Sequence, residues 1–348
     1  MRSDLQTFGA FVELGERLRD FCEKWKVGEA FQLPGFQNTL AMAKAANPWF
    51  TEDNLLHALE QWGRALTALN MEDWLSKYDM EGPRDPKTVG IVMAGNVPLV
   101  GFHDFLCVMI SGHRVLAKLS SGDRHLLPFL SQLLITAEPG LAGRIQFVEG
   151  KMEGFDAVIA TGSNNTGRYF EYYFGKGPHI IRKNRNSVAI LHGGESPAEL
   201  TALGRDIFRY FGLGCRNVSK VYVPDGYGFE SFFESIYGYK GMVDHHKYAN
   251  NYDYNRAIFL MNSQLFLDNG FLLLREDPAF SSPISVLHYS RYDSMETLKE
   301  ELKGSVGEIQ CLVSNLGLAG HVPFGEAQEP ALDDYADGVD TLEFLQGL

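Results

Sequence analysis

No Gly-x-Gly-x-x-Gly occurs anywhere in these 348 residues, so the usual Rossmann fingerprint is missing. The chain also lacks a Gly-x-x-x-x-Gly-Lys-Ser/Thr phosphate loop, a Gly-x-Ser-x-Gly nucleophile elbow and a His-Glu-x-x-His zinc motif. His245 and His246 are adjacent, the wrong spacing for one helix face to share a metal, so no metal is expected. Cysteine is scarce: Cys22, Cys107, Cys215 and Cys311 lie far apart, and none forms a Cys-x-x-Cys pair. A chain of this length does not need disulfides, so reduced thiols are expected. Basic runs are absent too. Lys plus Arg number 31 against 44 Asp plus Glu, a net charge of −13, which speaks against nonspecific nucleic-acid or membrane-surface binding. An anionic small ligand would need a local basic pocket. The longest apolar stretch, 97–119, is broken by His103, Asp104, His113 and Arg114, so no membrane span is expected. Asp4, Glu13 and Glu16 sit where a signal peptide would keep its apolar core, and the expected location is cytoplasmic.

What is present is a globular mixture, 45% apolar and 22% charged, long enough for about two domains. The first 80 residues read as helical. Phe8, Phe11, Val12, Leu18, Phe21, Cys22 and Trp25 recur at helical spacing. A further helix is expected to start at the N-cap Thr51, with Glu52 and Asp53 in its positive first turn. Its buried face would be Leu55, Leu56, Leu59, Trp62, Leu66 and Leu69. The stretch 81–86 (EGPRDP) is the clearest linker.

After it, short β-branched runs at 88–93, 114–119, 145–149 and 156–161 alternate with helical stretches near 102–110 and 123–136. That alternation predicts βαβ units and a parallel sheet. A second alternation follows: a strand at 187–191, a helix over 196–210 opened by Ser196-Pro197, and a strand at 219–223. One more core strand is expected at 307–314. The region 225–300 is rich in Tyr and Phe and mixed in pattern, and the tail from Pro330 is acidic.

Three segments look built for chemistry. Gly95-Asn96-Val97-Pro98 follows the first strand and places a side-chain amide at the tip of a tight turn, although an ordinary turn explains it as well. The run 161–167 (TGSNNTG) ends a strand and opens a helix, where small residues let backbone N–H groups approach phosphate. Cys215 sits in a Gly-x-Gly-Cys turn between a helix and a strand, unlike the other three cysteines, which lie inside apolar runs. A thiol with an ordinary pKa near 8.5 needs ionising to act as a nucleophile, and Arg216 would favour the thiolate if it faces the same way. A buried, inert cysteine is the alternative. Arg182, Lys183 and Arg185 form a basic island, either a solvated strand edge or a contact for phosphates.

Taken together and in this order, GNVPLVG (95–101), LAKLSSGD (116–123), ATGSNNTGR (160–168), RKNRNSVAIL (182–191), FGLGCRNVSKVYVP (211–224) and VPFGEAQEPALDDYADGVD (322–340) resemble the aldehyde dehydrogenase superfamily. The closer resemblance is to its LuxC-like fatty acyl-CoA reductases, and it runs from about residue 86 to the end. It implies an α/β, aldehyde-dehydrogenase-like fold: two parallel or mixed-sheet α/β domains with an N-terminal helical segment. The corresponding boundaries are a helical segment at 1–85, a dinucleotide-binding domain at 86–190, a catalytic cysteine domain at 191–320 and a return segment at 321–348.

The resemblance also assigns roles. Cys215 is similar to the acyl-accepting nucleophile, and Asn96 to the asparagine that completes an oxyanion hole with the Cys215 N–H. Lys118, with Ser120 and Ser121, matches the ribose-contacting segment, and Gly162 with Ser163 matches the pair that packs on the cofactor pyrophosphate. Hydrolytic relatives carry a glutamate base where this chain has 181–187 (IRKNRNS), without a carboxylate. The acyl group would then leave to a thiol rather than to water, as an acyl-CoA reductase requires. Relatives that prefer NAD(H) often place an acid three residues after the lysine; here that position is Ser121, so NADP(H) is expected over NAD(H). The implied activity is NADPH-dependent reduction of a long-chain acyl-CoA or other acyl thioester to the aldehyde. Aldehyde oxidation and a non-reducing acyl-thioester transferase or binding protein are the alternatives. An acyl-donating protein partner and a homo-oligomer are further expectations.

Overall fold

A computed structural model describes residues 2–29, 35–79, 82–162, 164–305 and 307–348. The chain divides into two compact units, Met1–Lys183 with Ala331–Leu348, and Asn184–Pro330. The second unit therefore starts a few residues before 191, because the strand at 186–190 pairs with strands of that unit. The first unit takes back the end of the chain.

The first unit opens with α1 (Arg2–Val27), α2 (Phe36–Ala46), α3 (Glu52–Ala65) and α4 (Ala68–Leu75). Thr51 caps α3 by accepting the Asn54 N–H, as its position before Glu52 and Asp53 predicts. Leu55, Leu59 and Leu66 are buried, but Leu69 is 76% exposed. The helix ends at Ala65 and Thr67 caps a new one, so the periodicity that placed Leu69 inward does not continue across the break.

Then come β1 (Thr88–Val92), α5 (Phe102–Ile110), β2 (Arg114–Lys118), α6 (Leu126–Ala137), β3 (Ile145–Phe147), β4 (Ala157–Thr161), α7 (Asn164–Phe174) and β5 (His179–Arg182). The strands form one parallel sheet in the order β3-β2-β1-β4-β5. Both faces are covered, which is why the strands read as apolar runs. Val89, Ile91, Val115, Ala117 and Ile159 face the large core shared with α1, α5 and α6. Leu116, Val158 and Ala160 face Phe155, Phe170 and Phe174 on the other side.

The second unit holds β6 (Asn186–Ile190), α8 (Pro197–Phe208), β7 (Val218–Pro224), α9 (Glu230–Ser235), α10 (His246–Met261), β8 (Leu267–Asp268), β9 (Leu273–Glu276), β10 (Val286–Tyr292), α11 (Met295–Lys303), β11 (Ile309–Val313) and β12 (His321–Val322). Their order is β12-β11-β6-β7-β10-β9-β8, parallel except for the β8–β9 pair. Ser196 and Glu199 close a reciprocal capping box on α8, with Pro197 at the first helical position. The chain ends in α12 (Thr341–Gln346), packed on the first unit's core through Leu342 and Leu345. Among the described residues no helix is long and apolar enough to cross a membrane.

Candidate active site

In the first unit, β1 runs to β2 on one side of the sheet, and β4 runs to β5 on the other. The carboxyl ends of β1 and β4 therefore flank the point where strand order reverses, the place where open α/β sheets bind ligands. Asn96 lies on the segment leaving β1, Gly162 on that leaving β4, and Lys118, Ser120 and Ser121 at the end of the neighbouring β2.

The turn after β1 is held from three directions. Asn47, the residue that ends α2, donates its Nδ2 to the Gly95 carbonyl at 3.0 Å. Ser120 lies so close that a Cβ on Gly95 would collide with its side chain, so only glycine fits there. Leu99 sits at φ 58, a strained conformation for a leucine, and its N–H donates to Asp123 Oδ2 at 2.7 Å. Asn96 is exposed at the tip. Neither Asn47 nor Asp123 was legible as part of this site. Asn47 reads as an ordinary helix end, and Asp123 as the first residue of a helix that in fact starts at Leu126.

Asp123 is 9% exposed, and burial pushes its carboxyl up to about 7 against the pull of the Leu99 N–H. Lys118 and Ser120 are half-buried and Ser121 is exposed. Gly162 packs under α7, where a Cβ would press on Thr166 and Phe170, so glycine lets the helix start this close to the end of β4. Ser163 lies outside the described residues.

The basic island resolves into three separate roles. Arg182 is 4% exposed: its Nη2 pairs with Asp104 Oδ1 at 2.7 Å and donates to Thr341 Oγ1 at 2.8 Å, and its Nη1 donates to the Ala336 carbonyl at 2.6 Å. Burial opposes its charge and Asp104 outweighs that, leaving the guanidinium firmly protonated. Neither the solvated edge nor the phosphate contact fits such a residue. Arg182 pins the returning tail to the sheet. Lys183 pairs with Glu171 at 2.8 Å, and Arg185 donates to the Ile309 carbonyl at 3.4 Å.

In the second unit, α8 ends in a left-handed turn: Tyr210, Phe211 and Gly212 have φ 54, 59 and 75. Two of the three are aromatic, so the conformation costs on the order of 1–3 kcal/mol per residue and must be held by its surroundings. Asn217 Nδ2 closes the helix end by donating to the Asp206 and Arg209 carbonyls at 2.9 and 2.8 Å. Its Oδ1 accepts the Gly214 N–H at 2.8 Å. Ser187 Oγ donates to the Cys215 carbonyl at 3.0 Å and accepts the Cys311 N–H at 3.1 Å. That hydroxyl bridges β6, β11 and the turn where both ladders shift register. Cys215 is half-buried, whereas Cys22, Cys107 and Cys311 are buried. Burial pushes the Cys22 thiol up to about 12 and the Cys107 thiol far above its ordinary value, so both stay inert. Arg216 donates Nε to the Ala327 carbonyl at 2.6 Å.

An open groove of about 350 Å³ lies at the other end of this sheet, lined by Gly193, Glu195, Asp225 and Tyr227. It follows the carboxyl end of β7, whereas Cys215 precedes its amino end. Among the described residues no three His, Cys, Asp or Glu converge as metal ligands.

No protein-family model matches the sequence, and no curated protein matches it significantly. Solved structures do. Aldehyde dehydrogenase 21 from Physcomitrella patens, in complex with succinate, superposes at TM-score 0.63 and 12% identity over 98% of this chain and 84% of its own. A Mycobacterium tuberculosis aldehyde dehydrogenase complexed with NAD+ superposes at TM-score 0.59 and 16% identity, over 85% and 70%. The indole-3-acetaldehyde dehydrogenase of P. syringae, with NAD+ and IAA, gives 0.63 and 14%, over 86% and 69%. At such identities the likeness is one of architecture: the chain has the aldehyde dehydrogenase fold.

Proposed function

We propose that the chain is a nicotinamide-dependent reductase of acyl thioesters, of the LuxC-like type, with Cys215 as the acyl acceptor. The observation that carries this reading is the Cys215 turn. Among the four thiols it alone is half-buried rather than buried, and it follows the left-handed turn at Tyr210–Gly212 in a loop held by Asn217 and Ser187. The segment 181–187 supports reduction over hydrolysis: it offers no carboxylate to activate water, and its Arg182 is committed to Asp104.

The first unit's residues fit a dinucleotide. Gly162 stands where the end of β4 meets the start of α7, and N–H groups at a helix start favour phosphate; Lys118 with Ser120 and Ser121 stands at the end of β2. Ser121, in place of an acid, leaves space for a 2′-phosphate, so NADP(H) is the proposed form. When bound, the nicotinamide supplies a hydride.

The Cys215 thiolate attacks the thioester carbonyl, and the Cys215 N–H is a donor for the oxyanion; the resemblance assigns the Asn96 amide to the same task. The C–S bond to the donor thiol breaks, and that thiol leaves as its anion, leaving the acyl group on Cys215. Were the acyl carbon reduced, the thiohemiacetal oxyanion left on Cys215 would meet the Cys215 N–H again. It collapses to the aldehyde and returns the electron pair to the Cys215 sulfur. Each oxyanion donor is worth about 10²–10³ in rate.

The test is NADPH oxidation with a panel of short to long acyl-CoAs. Wild-type protein should release aldehyde and free CoA, and Cys215→Ala should not. Acylation of Cys215 without NADPH oxidation would replace the proposal with an acyl-thioester transferase. Near-normal turnover by Cys215→Ala would refute it.

A further inference from the structure

The turn that carries Cys215 is tied through one buried carboxylate to a loop 119 residues further along the chain. Asp206, on α8, has no solvent exposure. Its Oδ2 accepts the Gly325 N–H at 2.6 Å, and its Oδ1 accepts the Ala327 N–H at 3.0 Å. Ala327 is itself fully buried, and its carbonyl accepts Arg216 Nε at 2.6 Å. Asn217, next along the chain, donates back to the Asp206 carbonyl at 2.9 Å. The contacts make a closed ring: Asp206 carboxylate, Ala327, Arg216, Asn217, Asp206 carbonyl. Cys215 lies one residue from its edge.

We propose that Asp206 is a positioning residue for Cys215, holding the Phe324–Ala327 loop so that the Ala327 carbonyl fixes Arg216 and, with it, the nucleophile's turn. This rests on the reading of Cys215 as the acyl acceptor. The chemistry requires a carboxylate, because two converging N–H donors need two acceptor oxygens. Asparagine supplies one and sets its NH2 against the other donor, and alanine supplies none. The same geometry makes the ring sensitive to protonation, since a neutral carboxyl turns one oxygen into a donor with a backbone N–H in front of it. Burial pushes the Asp206 carboxyl up to about 7, with the two N–H groups and Arg205 pulling it down and Glu326 pushing it up. Arg205 lies on its own helix and Glu326 in the held loop; Tyr239, packed over α8, also feels its charge. The ring is complete when the group is ionised, so Cys215 is best held on the alkaline side of neutrality.

The test reads Cys215 directly, by peptide-resolved mass spectrometry of iodoacetamide alkylation from pH 5.5 to 9, beside steady-state kinetics with acyl-CoA. Asp206→Asn should change the alkylation rate about fivefold or more and flatten its pH profile near neutrality. It should lower kcat about tenfold and leave KM within about twofold. Arg216→Met, which removes the N–H donor of the same tie without touching the buried carboxylate, should reproduce the alkylation change, and the two substitutions should not be additive in the double variant. Wild-type alkylation in Arg216→Met, or multiplying effects in the double variant, would overturn the proposal even if Asp206→Asn fails to fold. If wild-type protein reduces no acyl-CoA but its Cys215 alkylation still depends on Asp206 and Arg216, the reductase reading falls and the positioning role stands.

Discussion

Asp123 has one carboxylate oxygen on the Leu99 N–H and the other, buried, facing no donor among the described residues. Its native carboxyl, near 7, lies well above the value of about 3.9 expected in an unfolded chain. The native state therefore binds the extra proton between those two values. Its contribution to stability is complete at the acid end, declines as pH rises through that window and is flat above about 7, a span on the order of 4 kcal/mol. The melting temperature of wild-type protein should thus fall more steeply between pH 5 and 8 than that of Asp123→Asn; equal slopes in a fluorescence-monitored melt would show that this group does not set the trend. Single residues were legible where their role is local. Ser196 with Glu199 and Pro197, and Thr51 before its helix, are each visible within a few positions. Asn47, Asp123 and Asp206 were not, because each acts on backbone 24 to 121 residues away, and a side chain's distant partner leaves no mark on spacing.

At the scale of elements, the strands with two apolar faces were visible as runs, and β10 was not. His288 on β10 lies opposite Lys220 on β7; both are buried and polar, which breaks the pattern a core strand would show. Lys220 is held by the Asp277 and Pro278 carbonyls at 3.0 and 2.7 Å, partners found only after folding. The helix α12 depends on a similar device. His113 accepts the Lys87 N–H at Nδ1 and donates from Nε2 to the Leu345 carbonyl, at 3.1 and 3.0 Å. Both ring nitrogens are used by the neutral form, and burial lowers the pKa from its ordinary value. That contribution is present above about pH 6.5 and is lost as pH falls, because protonated Nδ1 would confront the Lys87 N–H. Amide exchange across 341–348, corrected for intrinsic rate, should speed up below pH 6 and do so less in His113→Gln. Unchanged protection down to pH 5 in wild-type protein would contradict this.

For the molecule as a whole, each unit has a large core of its own, and that of the first is assembled from both ends of the chain. Leu345 is wholly buried in the first core, so Leu345→Ala should cost about 2–5 kcal/mol. Hydrogen exchange should show that loss in β1 and β4, with β7 and β10 unchanged; equal loss in all four would mean that the units unfold as one. Tyr335 strengthens the same docking by accepting from Trp74 Nε1 at 2.8 Å and meeting the Tyr78 hydroxyl at 2.8 Å. This discontinuity imposes an order on synthesis. The ribosome delivers all of Asn184–Pro330 before the residues that seal the first unit emerge. A nascent chain that has just reached Pro330 thus carries an uncovered apolar seat for α12 while the second unit already has every strand it needs. Chaperone capture of the growing polypeptide should concentrate on that seat, and a translational pause before Ala331 would prolong it.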